Sequence, residues 1–455
     1  MPTALAPPES PADRMLFARI AWRLLPFLFV LYVVSYLDRV NVSFAGLQMK
    51  RDLAANGFGD AVYGIGGGIF FLGYFLFEIP SNLILERVGA RAWICRIMLT
   101  WGVISACMMF VRGPKSFYLL RFLLGLAEAG FFPGVILYLT YWFPATRRAR
   151  AVALFMTATA ASGVIGSLIS YKLLGLEGRY ELHGWQWLFM LEGLPAILLG
   201  IVVVLVLPNG PRDARWLDDA QRDRLAELLA LEDGGAGHHR ATDLAASLRH
   251  RRVWHLTGIY FCITVGLYGV SLWVPGLIKQ AWSGHSDQEV SLMSAIPYGC
   301  AVVAMVLVSR HSDRTGERRW HAAGSLFVGA AGAACSALVH HNPPLAVAAF
   351  SVAAMGIFSV FGPFWSMPPA FLAGTAAAAG IALVNSVGNL GGLAGSSLFG
   401  LIKEHTGGFA GALWTLAAVL AAGGVLVLQV NLPRVTRGFD VVVGNQDSAE
   451  RPLRG

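Results

Sequence analysis

Four charged residues lie inside apolar sequence long enough to cross a bilayer. Asp38 and Arg39 are adjacent in LPFLFVLYVVSYLDRVNVSF, and Arg121 and Glu128 stand seven apart in YLLRFLLGLAEAGFFPGVILYLTYWF. Seven residues at about 100° each return to nearly the same helix face, roughly 10 Å along the axis. Charges in such segments are costly, and they mark a protein interior or a path for solute. A guanidinium binds a carboxylate through two parallel hydrogen bonds. A carboxyl group in low dielectric holds its proton more tightly, and a nearby Arg opposes this. An anion that competes for the Arg therefore changes the protonation of the acid beside it, which couples proton binding to anion binding. A cation substrate would favour acids without two bases alongside. The competing reading is a salt-bridge cluster that only fixes helix packing, but buried ion pairs stabilise poorly compared with apolar residues.

The elements that must position these groups are membrane helices. Of 455 residues, 56% are hydrophobic and 14% charged, against about a quarter charged in a soluble domain. Twelve apolar spans are expected, at 24–46, 61–85, 92–111, 117–141, 149–171, 187–207, 255–280, 290–309, 320–339, 345–366, 377–402 and 409–430. With the N-terminus inside, the cytoplasmic segments hold 25 Lys and Arg and the opposite side holds 8. That asymmetry predicts both termini in the cytoplasm, and it accounts for the net charge of +8 without nucleic acid. The start, MPTALAPPESPADRMLFARIAWRLL, shows no cleavage pattern, so the first span reads as an anchor. Cys95, Cys107, Cys262, Cys300 and Cys335 lie in apolar spans without CxxC spacing, so neither a disulfide framework nor a metal knuckle is expected.

The organisation is N-terminal segment 1–23, a six-helix unit 24–207, a polar linker 208–254, a second six-helix unit 255–430, and a tail 431–455. The linker carries DDAQRDRLAELLALED, which reads as a surface helix, and a solvated His238-His239 pair. The halves repeat. Glu86, Arg87, Gly89 and Arg91 follow span two, and Asp313, Arg314, Gly316 and Arg318 follow span eight, 227 residues later. The same acid-Arg-x-Gly-x-Arg pattern at the same place in each half marks a duplicated transporter.

No phosphate loop, HExxH or GxSxG occurs, so no ATP drive, catalytic residue, metal or cofactor is expected. Tyr36 and Asn41 flank Asp38 within a turn and share its neighbourhood. Glu78 and Glu192 stand near span ends and read as groups that reach the interface. In the second half, Trp365 and Asn385 are candidate substrate contacts, with Ser386, Asn389, Tyr268, Trp273 and Tyr298 behind them.

SYLDRVNVSFA, GYFLFEIPSNL, RFLLGLAEAGFFPGVILYLTYWFP and WQWLFMLEGLPA together resemble the major facilitator superfamily, and within it the anion:cation symporter family. The pieces look most like the bacterial permeases for tartrate, with relatives for phthalate, hydroxyphenylacetate and sugar acids such as galactonate. The resemblance implies an all-α fold of two six-helix bundles, alternating access, and uptake of a small organic anion driven by the proton gradient of a bacterial inner membrane, with the monomer as working unit. It implies proton coupling at Asp38 and Glu128, and substrate contacts from Arg39, Arg121, Trp365 and Asn385. The loop motifs would latch the two halves on the cytoplasmic side. Asn82 and Glu86 stand where the superfamily favours Gly and Asp.

Overall fold

A computed structural model describes residues 10–233, 250–339, 342–368 and 375–430. Among the described residues every regular element is helical. His238-His239, the segment around 370 and the tail lie outside them.

The first helix exceeds the expected span. α1 (Pro11–Asp52) has 42 residues, about 63 Å at 1.5 Å per residue, against about 30 Å of hydrocarbon. Its first turns therefore project beyond the apolar layer. Ser10 and Asp13 close that end as a capping box. α2 (Asp60–Val88) and α3 (Ala90–Cys107) follow as continuous helices.

Span four is broken. α4 (Pro114–Glu128) stops at Glu128 and α5 (Phe131–Thr140) restarts after Gly130. Ala129 leaves the helical region, and Gly130 sits at φ 85°, where L side chains are strained. A Cβ on Gly130 would lie 2.2 Å from Ser81 Oγ, so the glycine also lets α2 approach. The break puts Glu128 at a helix terminus in the middle of the apolar region. Such backbone is tolerated only where protein surrounds it.

α6 (Ala145–Leu174) and α7 (Gly184–Val206) complete the first half. The linker forms the expected surface helix, α8 (Asp219–Asp233). Arg224 of α8 grips both carboxylate oxygens of Asp13, at 2.9 and 3.0 Å. These bonds hold the Asp13 carboxyl well below the usual carboxylate range.

The second half comprises α9 (Arg251–Ala281), α10 (Asp287–Met293), α11 (Ala295–Thr315), α12 (Arg319–Val339), α13 (Pro343–Ser359), α14 (Phe361–Trp365), α15 (Thr375–Thr406) and α16 (Ala410–Leu428). Ten helices, or helix pairs, among the described residues have the length and hydropathy to cross a membrane. α6 and α15, at the fifth and eleventh expected spans, hold side chains outside the description and are not among the ten.

Packing is dense within each half: α3 on α7, α2 on α4, then α9 on α15, α12 on α13 and α16. The halves meet chiefly along α2 and α15, at the packing of α6 on α10 and α11, and along α1 and α9. Along α2 and α15 the backbones nearly touch, since a Cβ on Gly64 would lie 2.6 Å from the Ser396 carbonyl. Close approach through small residues is how helices associate without a hydrophobic drive. At that end Asp60 of α2 binds Lys50 of α1 at 2.8 Å and Lys403 of α15 at 3.0 Å.

The repeated loop motif has a backbone explanation. Gly89 and Gly316 both adopt positive φ, 93° and 69°, which turns the chain between consecutive helices at the same point in each half. Arg318 pairs with Asp313, while Glu86 and Arg87 are exposed.

Candidate functional site in the helix interior

Arg39 leaves α1 toward α4 and α9. Its Nε donates to Glu128 Oε1 at 2.7 Å, and its Nη1 to Tyr268 Oη at 3.3 Å. Ser35, one turn earlier, donates to the same Glu128 oxygen at 2.7 Å. The rings of Tyr36, Phe70 and Tyr74 surround the guanidinium, with centroids 5.9, 5.6 and 5.1 Å from Cζ. Tyr268 belongs to the second half, so this pair sits between the halves. Three polar atoms here make no hydrogen bond within the protein: Arg39 Nη2, Glu128 Oε2 and Tyr36 Oη. A donor left unmade on a buried guanidinium is expensive, and one recurring reason for it is a ligand.

Asp38, the next residue, leaves α1 in another direction. Its carboxylate accepts from Ser105 Oγ at 2.8 Å, from Asn41 Nδ2 at 3.1 Å and from the Trp101 indole N–H. Both donors on α3 were unmarked in the sequence. Consecutive helical residues diverge by about 100°, so Asp38 and Arg39 cannot serve one face. The four charges expected to share one site are thus divided.

Arg121 is divided from them as well. Its guanidinium donates to the carbonyls of Gly66 and Gly67 on α2, at 3.3 and 3.2 Å. Phe70 lies between it and Arg39, with its ring 4.9 Å from Arg121 Cζ and 5.6 Å from Arg39 Cζ. The partner of Glu128 is Arg39, not the Arg on its own helix, because seven residues along one face are too far for contact.

In the second half, Asn385 and Ser386 of α15 both donate to Glu78 of α2, each at 2.6 Å. Glu78 and Glu192 are buried rather than reaching an interface. The packing of α15 on α2 and of α7 on α3 encloses them. Trp365 is half-buried and meets the Tyr260 ring edge-on at 4.9 Å. Away from this interior, Asp52, Glu177 and His183 cluster at the α6–α7 turn. His183 Nδ1 lies 2.9 Å from Glu177 Oε1, Glu177 also accepts from the Gly184 backbone N–H, and Asp52 accepts from the Trp185 indole N–H.

Sequence reading missed Ser35, Trp101, Ser105 and the link from Glu78 to Asn385. Ser35 had a signal, since it stands one turn from Arg39. The others depend on which helices meet.

A family model described as Major Facilitator Superfamily matches residues 28–396. The chain belongs to that superfamily. A "Putative tartrate transporter" of Agrobacterium vitis is 50% identical over 410 residues, 90% of each chain. A "Quinolone resistance transporter" of Acinetobacter baumannii is 42% identical over 407 residues, 90% of this chain and 93% of that one. Among solved structures, a bacterial homologue of the human lysosomal transporter Spinster, in an inward-facing and unoccupied conformation, superposes with a TM-score of 0.67. It covers 92% of this chain and 96% of its own at 18% identity, which bears on the fold. This superfamily member is a multi-pass membrane transporter rather than an enzyme.

Proposed function

We propose that the protein imports a small organic anion, a hydroxy-dicarboxylate of the tartrate type or a sugar acid, in symport with protons by alternating access. The observation that carries this is the Arg39–Glu128 pair, with an unused N–H, an unused carboxylate oxygen and the Tyr36 hydroxyl around it. A substrate carboxylate fits the remaining donors of Arg39 and competes with Glu128 for them. Glu128, left in apolar surroundings without its partner, then takes up a proton rather than remain a bare charge. A monocarboxylate leaves the loaded site neutral, a dicarboxylate needs a second proton, and the two halves can then exchange the side they open. On return, Arg39 and Glu128 pair again. Asp38 is the second proton-coupling acid in this reading. Arg39 replaces Arg121 as the preferred anchor, since Arg121 is tied to backbone carbonyls of α2 rather than to an acid that a substrate carboxylate can displace. Asn385 and Trp365 would reach the substrate once Glu78 releases Asn385.

The surrounding frame is twelve spans in two six-helix units, 24–207 and 255–430, with both termini in the cytoplasm of a bacterial inner membrane. The name of the Agrobacterium relative supports the substrate class. Aromatic acids such as phthalate or hydroxyphenylacetate are the alternative cargo. Thermal-shift screening of purified protein against dicarboxylates, sugar acids and aromatic acids separates these. Stabilisation by an acid of one class, absent in Arg39→Ala, is the expected result; no stabilisation by any anion would sink the reading. The quinolone-resistance relative motivates a second reading, export by proton antiport. Resistance profiling of a deletion strain decides it, because only an exporter's loss sensitises the cell.

A further inference from the structure

Glu192 on α7 has no place in this scheme, and its surroundings are unusual. It is 6% exposed, and neither carboxyl oxygen has a hydrogen-bond partner. Its polar neighbours are Asn41, whose amide approaches the carboxyl without well-formed hydrogen-bond geometry, and, as a charge, Asp38. Asn41 is 1% exposed, and its Oδ1 also lacks a partner. The helices are pinned here. A Cβ on Gly193 would lie 2.7 Å from the Gly102 carbonyl and 2.9 Å from the Ala106 N, so α7 presses on α3 beside Trp101 and Ser105. Those two side chains of α3 both donate to Asp38. Among the described residues, the charge acting on Glu192 is that of Asp38 on α1.

The donor sets of the two acids differ. Asp38 accepts three hydrogen bonds, the arrangement that suits an ionised carboxylate. Glu192 has only the Asn41 amide near it, without a well-formed hydrogen bond, and faces a like charge. An ionised Glu192 would be a bare anion beside an anion in low dielectric, which proteins avoid by neutralising the group. A protonated Glu192 gains an O–H, and the Asn41 amide oxygen beside it lacks a donor.

We propose that Glu192, with Asn41 and Asp38, forms a further proton-binding site behind the Arg39–Glu128 pair, in which Glu192 is the protonated carboxyl and Asp38 the ionised one. Binding forms one O–H bond on a carboxyl oxygen and changes no other bond. Two acids this close titrate as a pair, so protonating Asp38 alters the hold of Glu192 on its own proton. As a coupling site, the pair rests on the proton-symport reading above. As a proton-holding site, it does not.

Infrared difference spectroscopy on the full chain in lipid nanodiscs at pH 7 tests it without transport. Glu192→Gln minus wild type should lose one protonated-carboxyl C=O band and leave the carboxylate bands unchanged. Loss of carboxylate intensity instead overturns the proposal. Should Glu192→Gln fail to fold, Asp38→Asn supplies the second arm. It should keep the protonated band and lose carboxylate intensity; loss of the protonated band would show that Asp38, not Glu192, holds the proton. A preserved band with no proton movement on substrate addition leaves the proton site standing and removes symport.

Discussion

Asp38 and Arg39 are neighbours in the chain and opposites in their surroundings. Arg39 faces the junction of the halves, where it holds Glu128, touches Tyr268 and keeps an N–H unused. Asp38 faces the interior of the first half, where Trp101, Ser105 and Asn41 satisfy it completely. The front group is under-bonded and the back group is saturated. An under-bonded ion pair can trade a partner for a substrate, whereas a saturated carboxylate can change only by taking a proton. On the proposed reading, anion recognition belongs to the front and charge alone to the back.

The largest expected effect comes from the front. Arg39→Ala removes the anchor for the substrate carboxylate, a change on the order of 3–4 kcal/mol in binding, or about a hundred- to a thousandfold in substrate affinity. Ligand-induced thermal shift measures it, and retention of wild-type affinity would break the contrast. Next, Glu128→Gln keeps a hydrogen-bonding partner for Arg39 but cannot cycle a proton. Counterflow exchange should persist while accumulation against a gradient disappears; normal accumulation contradicts the assignment. Arg121→Ala should act on stability more than on binding. It removes two hydrogen bonds from a charged donor to the Gly66 and Gly67 carbonyls, about 1.5–3 kcal/mol each, so the melting temperature falls by several degrees while the folded fraction still binds. Selective loss of binding at an unchanged melting temperature would return Arg121 to the front.

The smallest effect is a control in water. Asp13, like Asp38, is a carboxylate with a full donor set, but it lies at the projecting end of α1 and is held by Arg224. Its folded-state pKa is depressed. The stabilisation is therefore present above the ordinary carboxylate range and is lost as pH falls through that range and below. Limited proteolysis of the linker should accelerate on acidification, and in Asp13→Asn it should already be fast at neutral pH. Equal rates in both proteins at neutral pH would mean that the pair does not hold α8.

The all-helical class, the repeat and the surface helix at Asp219–Asp233 were legible because hydropathy and motif spacing are properties of the sequence itself. The charged residues were legible as residues, but their pairing was not. Periodicity places Arg121 and Glu128 on one face, yet it says nothing of Gly66 or Phe70 on α2, which take Arg121 away. The break after Glu128 hid in an apolar run because Ala129 and Gly130 are ordinary in membrane helices. Glu78 and Glu192 looked peripheral by position along their spans, and only the packing of α15 and α3 encloses them.

The most direct measurement is external pH around proteoliposomes during substrate addition. The wild type should alkalinise the medium in step with substrate uptake. Glu128→Gln should exchange substrate with the proton signal reduced or lost, and Arg39→Ala should do neither. Uptake that moves as many protons in Glu128→Gln as in the wild type would contradict the account.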